Sequence, residues 1–401
     1  MDDSSRDLHI AAPAFAGAGT EPAVLVVGDY RYEDTFVSKA WERICFAYRQ
    51  QPEETRYGEV PAPSRKMTPH PRELSPLRRI ARDAAPNLYP VPFSDLGDCS
   101  RPDVAERLYQ YLSHFDVWAV IACGTASSTQ GLLRTLQPSS LPVFVTVDST
   151  AEMPVTNGER PSSYRNALRL MPNNDLQAQA ILSKLTSLVE QGADVDVQVL
   201  CHGENEEAEY VRDLRKALES HASKGPGRPQ LRFCSEVDQL RPIEENGILV
   251  CVGYFEAVRL IARVQHRWRH IILSDGCYEE RVRAYIVGIE DGADFHWTRP
   301  AFDHSEYAHD AYLAINKIWR RIRADRHAGV SERSLIPFER RVRSVLQRDR
   351  PTHYRFRGTD NQHGGYLIEK VRSAQRLAIR IYDARLQRSK HEQHEQPVHE
   401  L

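Results

Sequence analysis

Two short turns carry most of the residues suited to holding a small polar solute. Gly124-Thr125-Ala126-Ser127-Ser128-Thr129 places hydroxyls in or next to a turn, and the helical spacing of Leu132, Leu133 and Leu136 begins at once after it. The second turn, Asp148-Ser149-Thr150, follows the apolar run Val143 to Val147. Hydroxyls, backbone N–H groups and a helix N-terminus gathered at neighbouring strand ends form the crevice in which open α/β sheets bind ligands. Taken singly, the same residues also suit helix caps and ordinary turns, and that reading stands beside the first.

The elements needed to position these turns are legible on both sides of them. Val117 to Ala122 is a continuous apolar run, too short for a buried helix and rich in β-branched residues, which predicts a strand covered on both faces. Earlier strands are expected at Val24 to Val27 and Tyr89 to Phe93, separated by a polar, proline-rich excursion over 51–71. Later strands are expected at Ala167 to Leu170, Val195 to Leu200, Leu231 to Cys234, Ile248 to Val252 and Ile271 to Leu273. The last two end in Gly253-Tyr254 and Ser274-Asp275-Gly276. Asn173-Asn174-Asp175 reads as the cap of a helix carrying Ile181, Leu182, Leu185 and Val189 on one side. A second helix carries Tyr210, Leu214 and Leu218. Strands alternating with helical connectors predict two successive α/β layers, each a mainly parallel sheet flanked by helices. A long helix with Tyr312, Ile315, Trp319 and Ile322, and a hairpin turning near Gly364-Gly365, close the pattern.

At 401 residues the chain suits two lobes of roughly 150 residues each plus tails. With 53 basic and 55 acidic residues the formal net charge is −2, which offers no pull toward nucleic acid or an anionic membrane. The basic strings RHAGVSERS and RRVRSVLQRDR are expected to be solvated helix faces. No apolar stretch approaches the roughly 20 residues that span a bilayer. Residues 1–22 open acidic and lack a signal-peptide core, and seven cysteines without metal-finger spacing suit a reducing compartment. A cytoplasmic location is therefore expected, with 1–22 and 386–401 as disordered ends.

The order of these elements and several strings resemble the type I periplasmic binding proteins, in particular the branched-chain amino-acid-binding and receptor branch, over about residues 88 to 371. Ser94-Asp95 with Cys99, Ser127-Ser128-Thr129-Gln130, Ser149-Thr150, ALRLMPNNDLQAQAI, Tyr210-Val211-Arg212-Asp213-Leu214, Gly253-Tyr254, Asp275-Gly276 and Phe356 to Val371 carry the likeness. It implies a two-lobe α/β fold joined by three crossover segments near 166–172, 296–300 and 351–356. The N-lobe would comprise 23–167 plus 300–350 and the C-lobe 168–299 plus 353–385. The departures are an N-terminus without the exported members' signal peptide, Ala126 where that branch has a cysteine that can pair with the one matching Cys99, Asp148 beside Ser149, and an opening segment unlike the family's.

A free amino acid presents a carboxylate and an ammonium, so its site needs donors on one side and a carboxylate on the other. The resemblance assigns the donors to Ser127, Ser128, Thr129, Ser149 and Thr150 on the N-lobe and gives Tyr210, Tyr254 and Asp275 to the C-lobe. Asp275 would supply the counter-charge, and Tyr210 or Tyr254 would pack over the apolar part. Core packing for Tyr210 and an ordinary turn for Asp275-Gly276 remain the competing readings. The function expected is non-catalytic binding of a small polar, amino-acid-like solute, with lobe closure read by a protein partner or a second copy. The alternative is a scaffold that keeps the fold without the pocket. No phosphate loop, metal-ligand spacing or nucleophile elbow points to an enzyme, and no cofactor is expected. Pairing Cys277 with a histidine is the weakest reading.

Overall fold

The computed structural model describes residues 22–28, 43, 87–92, 108–109, 112, 116–124, 126–136, 141–149, 167–203, 208–222, 228–241, 246–278, 280–287, 293–327, 338–357, 360–361 and 365–371. In chain order the elements are strands β1 (Pro22–Gly28), β2 (Asn87–Pro92) and β3 (Asp116–Cys123), helix α1 (Ala126–Leu136), then β4 (Val143–Val145) and β5 (Ala167–Arg169). They continue with α2 (Asn174–Glu190), β6 (Asp196–Cys201), α3 (Ala208–His221), β7 (Gln230–Cys234), β8 (Ile248–Val252), α4 (Phe255–Ala262), β9 (His270–Leu273), α5 (Glu280–Val287) and β10 (Asp294–Pro300). Two helices, α6 (His304–His327) and α7 (Phe338–Asp349), lead to the short strands β11 (Phe356–Arg357), β12 (Asp360–Asn361) and β13 (Tyr366–Lys370).

The strands form two sheets, ordered β11-β12-β5-β4-β3-β1-β2 and β13-β10-β9-β8-β6-β7. Parallel pairing runs from β2 through β1, β3, β4 and β5, and from β7 through β6, β8, β9 and β10. In each sheet the chain first builds to one side (β1 to β2, β6 to β7) and then steps across to build the other. The switch points fall between β1 and β3 and between β6 and β8. In such sheets ligands sit beyond the carboxyl ends of the strands at these points.

Apolar strand runs are explained by cover on both faces. Val24, Val26, Ala119 and Ile121 pack against Tyr307, Ala311, Tyr312 and Ile315 of α6 and Val342, Val345 and Leu346 of α7. The alternate residues Ala23, Leu25, Val27, Val120 and Ala122 pack against Leu132, Leu133 and Leu136 of α1. The string RRVRSVLQRDR is thus an amphipathic helix: Val342, Val345 and Leu346 enter the core while Arg340 and Arg348 stay in solvent.

The chain divides into two compact units. One comprises Met1–Leu182, Gly203–His221 and Arg299–Leu367; the other comprises Ser183–His202, Ala222–Thr298 and Ile368–Leu401. This differs from the expected division for two structural reasons. Helix α3 packs against α1, so it groups with the first unit. Strands β11 and β12 pair antiparallel and join the first sheet where Asp360 lies opposite Arg169. The last passage between sheets therefore falls between Asn361 and Tyr366, not near 351–356, and the expected single closing hairpin is split between the two sheets. Gly365, at φ 53°, takes the left-handed conformation that favours glycine.

Candidate functional site

In the first unit the turns after β3 and β4 are tied down by their own side chains. Thr129, fully buried on α1, donates its hydroxyl to the Gly124 carbonyl at 3.1 Å, closing the turn that leaves β3. Thr146 donates to the Ala122 carbonyl at 3.0 Å and lies 3.3 Å from the Cys123 sulfur. Burial pushes the Cys123 thiol up to about 12, against the opposing pull of that Thr146 contact, so it stays a protonated, structural group. Ser149 is buried, and its carbonyl accepts the Asn174 N–H at 2.6 Å, which fixes the β4 turn to the start of α2. That start is capped by Asn173, whose Oδ1 accepts the Leu176 N–H at 3.3 Å. Asn174 donates from Nδ2 to Asp213 Oδ2 at 2.8 Å, and the Tyr210 hydroxyl donates to Gln177 Oε1 at 3.2 Å. Ser149, α2 and α3 are therefore one hydrogen-bonded assembly.

The second unit holds its strand ends more tightly still. Gly253, just past β8, crosses so close to the end of β6 that an added β-carbon would lie 2.3 Å from the His202 carbonyl oxygen and 2.7 Å from the Ala257 β-carbon. Only glycine fits this approach. Ser274, fully buried, both accepts the Gly253 N–H and donates to the Gly253 carbonyl, each at 3.1 Å. The Cys277 sulfur adds a contact of 3.2 Å to the same carbonyl. Thr298 of β10 donates to the Leu273 carbonyl at 2.8 Å. Held between these bonds, Asp275 opens a 3₁₀ turn, Asp275–Cys277, closed by the Tyr278 N–H donating to the Asp275 carbonyl at 2.8 Å. Asp275 is 5 % exposed. Tyr254 is half-buried and stands at the N-cap of α4.

The expected residues thus separate as follows. Thr129, Ser149 and Tyr210 lie in the first unit, and Tyr254 and Asp275 in the second. Tyr210, expected on the C-lobe with Tyr254 and Asp275, groups with the first unit and is buried, its hydroxyl donating to Gln177. Ser127 and Ser128 lie in the first turn of α1, but their side chains fall outside the described residues, as does Thr150. Gly253, Ser274 and Thr298 carry the geometry of the second turn; the first two were read only as strand-end residues, and Thr298 was not singled out. A serine directly before Asp275 was the readable signal; Thr298 gave none, because its strand has no apolar run.

Among the described residues no group of three His, Cys, Asp or Glu side chains could hold a metal ion, and no helix is long and apolar enough to cross a membrane. A groove of about 490 Å³ between α6 and α7 is lined on its apolar side by Leu313, Ala314, Val345 and Leu346. Its charges answer one another, Lys317 to Asp349 at 2.6 Å and Arg350 to Asp310 at 3.6 Å, and none of the expected ligand residues line it.

No protein-family model matches the chain, and no curated protein does either. Solved structures do. A leucine-binding protein from Thermotoga maritima matches at 13% sequence identity with a TM-score of 0.52, covering 81% of this chain and 87% of its own. An ABC-transporter substrate-binding protein from Desulfitobacterium hafniense, in complex with Leu, matches at 12% identity and 0.55, covering 87% and 97%. The chain has the type I periplasmic-binding-protein fold. An extracellular ligand-binding receptor from Rhodopseudomonas palustris matches this periplasmic-binding-protein-like chain at 11% identity and 0.50, covering 88% and 98%. All three neighbours are named for binding.

Proposed function

We propose that this chain binds a small polar, amino-acid-like solute between its two lobes, without catalysis, and that lobe closure on the solute is the signal passed to a protein partner or a second copy. The observation that carries the reading is the set of tightly bonded turns at the carboxyl ends of parallel strands. One unit offers the turns at Thr129 and Ser149, with Ser127, Ser128 and Thr150 as the proposed further donors; the other offers Asp275, held by Ser274 and Gly253 beside Tyr254. Donors for a carboxylate on one lobe and a carboxylate for an ammonium on the other are what a zwitterion needs. The leucine carried by one structural neighbour supports the same chemistry. Closure requires that the solute touch both lobes, since a ligand with equal affinity for open and closed forms shifts nothing.

A second reading is favoured by one group of observations. The hydroxyls of Thr129 and Tyr210 are already spent on Gly124 and Gln177, and a buried Asp148 stands beside Ser149. On this reading the chain is a scaffold that keeps the fold for protein interaction. Thermal unfolding against a panel of amino acids, amides and nucleosides separates the two, because a ligand that binds the folded form raises the melting temperature by mass action. Stabilisation by amino acids is expected. A panel that leaves the melting temperature unmoved overturns solute binding in favour of the scaffold.

A further inference from the structure

The amino-terminal end of the second sheet carries a charged cluster that the ligand turns do not use. His270 opens β9 and Asp294 opens β10, and the two are register partners. His296, two residues along β10, points to the same face as Asp294. The imidazoles of His270 and His296 meet there with centroids 6.0 Å apart and planes at 47°. Lys370, at the end of β13, reaches Asp294 Oδ1 at 2.5 Å, while His270 Nδ1 lies 3.9 Å from Asp294 Oδ2, too far for a hydrogen bond. Both His270 Nδ1 and His296 Nε2 are buried without a hydrogen-bond partner. Lys184 from α2 and Arg269 add positive charge, so the Asp294 carboxylate faces three cations and two imidazoles.

This arrangement is stable only while the imidazoles are neutral. Burial pulls the His296 pKa down to about 4, with Lys184, His270 and Lys370 pulling the same way and Asp294 opposing. Burial lowers His270 as well, with Asp294 opposing and Arg269, Lys184 and Lys370 assisting. Asp294 itself sits below the usual carboxylate range: burial would raise it, but the Lys370 hydrogen bond and the surrounding positive charge outweigh that, so it stays ionised in mild acid.

We propose that the His270–His296 pair makes the β9–β10–β13 edge an acid-sensitive latch, in which protonation sets the imidazoles against Lys370, Lys184 and Arg269 for the carboxylate of Asp294 and loosens the closing strand β13 from β10. An imidazole released to water takes its proton near its ordinary pKa of about 6.5, whereas the enclosed one resists. Opening is therefore unaffected above about 6.5 and increasingly favoured below it, until the enclosed ring also protonates. By this linkage His296 alone raises the opening constant about 30-fold at pH 5 relative to pH 7.5.

Amide hydrogen exchange of the full chain at pH 7.5 and pH 5.0, corrected for intrinsic exchange rates, tests the latch. Protection of 294–297 and 366–371 in the native protein is expected to drop about 30-fold or more, while 196–201 and 248–252 change little. In the double variant His270→Asn, His296→Asn the drop is expected to shrink below about threefold. Unchanged protection in acid, an equal drop in the variant, or a drop shared by all strands of the sheet overturns the proposal. Should the double variant not fold, Asp294→Asn replaces it. That change is expected to give, already at pH 7.5, the weak protection that the native chain reaches at pH 5, and full protection at pH 7.5 in Asp294→Asn overturns the latch.

Discussion

The two ends of the second sheet are built on opposite principles. At the carboxyl end, beyond β6, β8 and β9, the chain is fixed by short-range geometry: Gly253 pressed against the His202 carbonyl, Ser274 bonded twice to Gly253, Thr298 bonded to Leu273. These bonds join neutral groups and do not change with pH. At the amino end, His270, Asp294, His296 and Lys370 are held by charge and by the exclusion of water, with two ring nitrogens left unpaired. The turn that carries Asp275 is held in one place by the first kind of construction, since hydrogen-bonded backbone has one arrangement. An edge able to open is served by the second, since its energy depends on protonation.

Breaking the rigid end should produce the largest effect. Gly253→Ala places a β-carbon against backbone that cannot move aside, and is expected to lower stability by about 3 kcal/mol or more in chemical denaturation. A loss below about 1 kcal/mol would mean the turn relaxes freely and is not the fixed frame described. Acid comes next. Between pH 7.5 and 5 the native chain should lose about 2 kcal/mol relative to His296→Asn, because the folded protein holds that imidazole below its unfolded pKa, and stability kept above about 6.5 is lost as the pH falls toward 4. Parallel pH titrations of the two proteins would deny the role given to His296. Ser274→Ala removes a buried hydroxyl that serves both the N–H and the carbonyl of Gly253, for an expected cost of about 1–3 kcal/mol that is the same at pH 5 and 7.5. A pH-dependent cost there would erase the contrast between the two ends. The smallest effect belongs to Lys370→Met at neutral pH. Lys370 is 58% exposed, so losing its pair with Asp294 should cost less than about 1 kcal/mol and fade in high salt.

Much of the fold could be read in advance because parallel strands covered on both faces write themselves as apolar runs. Val117 to Ala122 lies within β3, and Ile248 to Val252 coincides with β8. Strand β10 escaped, since DFHWTRP has no such run and 296–300 read as a crossing; its His296 and Thr298 are tolerated inside only through a ring kept neutral and a bond to Leu273. Gly364-Gly365 gave a turn signal, of which only Gly365 lies within the described residues, but such a signal does not say which sheet the next strand will join, and β13 joins the second. At the turns after β3 and β4 the hydroxyls were legible as residues of strand ends. Their direction was not: a threonine such as Thr129 can equally serve the backbone five residues back, and here it does.

Calorimetric titration of leucine and related amino acids into the full chain and into Asp275→Ala addresses solute capture most directly. The account predicts saturable binding by the native protein and an affinity about tenfold or more weaker in Asp275→Ala, the cost of removing one partner of a buried charge pair. Equal affinity in the two proteins would remove Asp275 from the site, and the absence of binding to any amino acid would contradict the account as a whole.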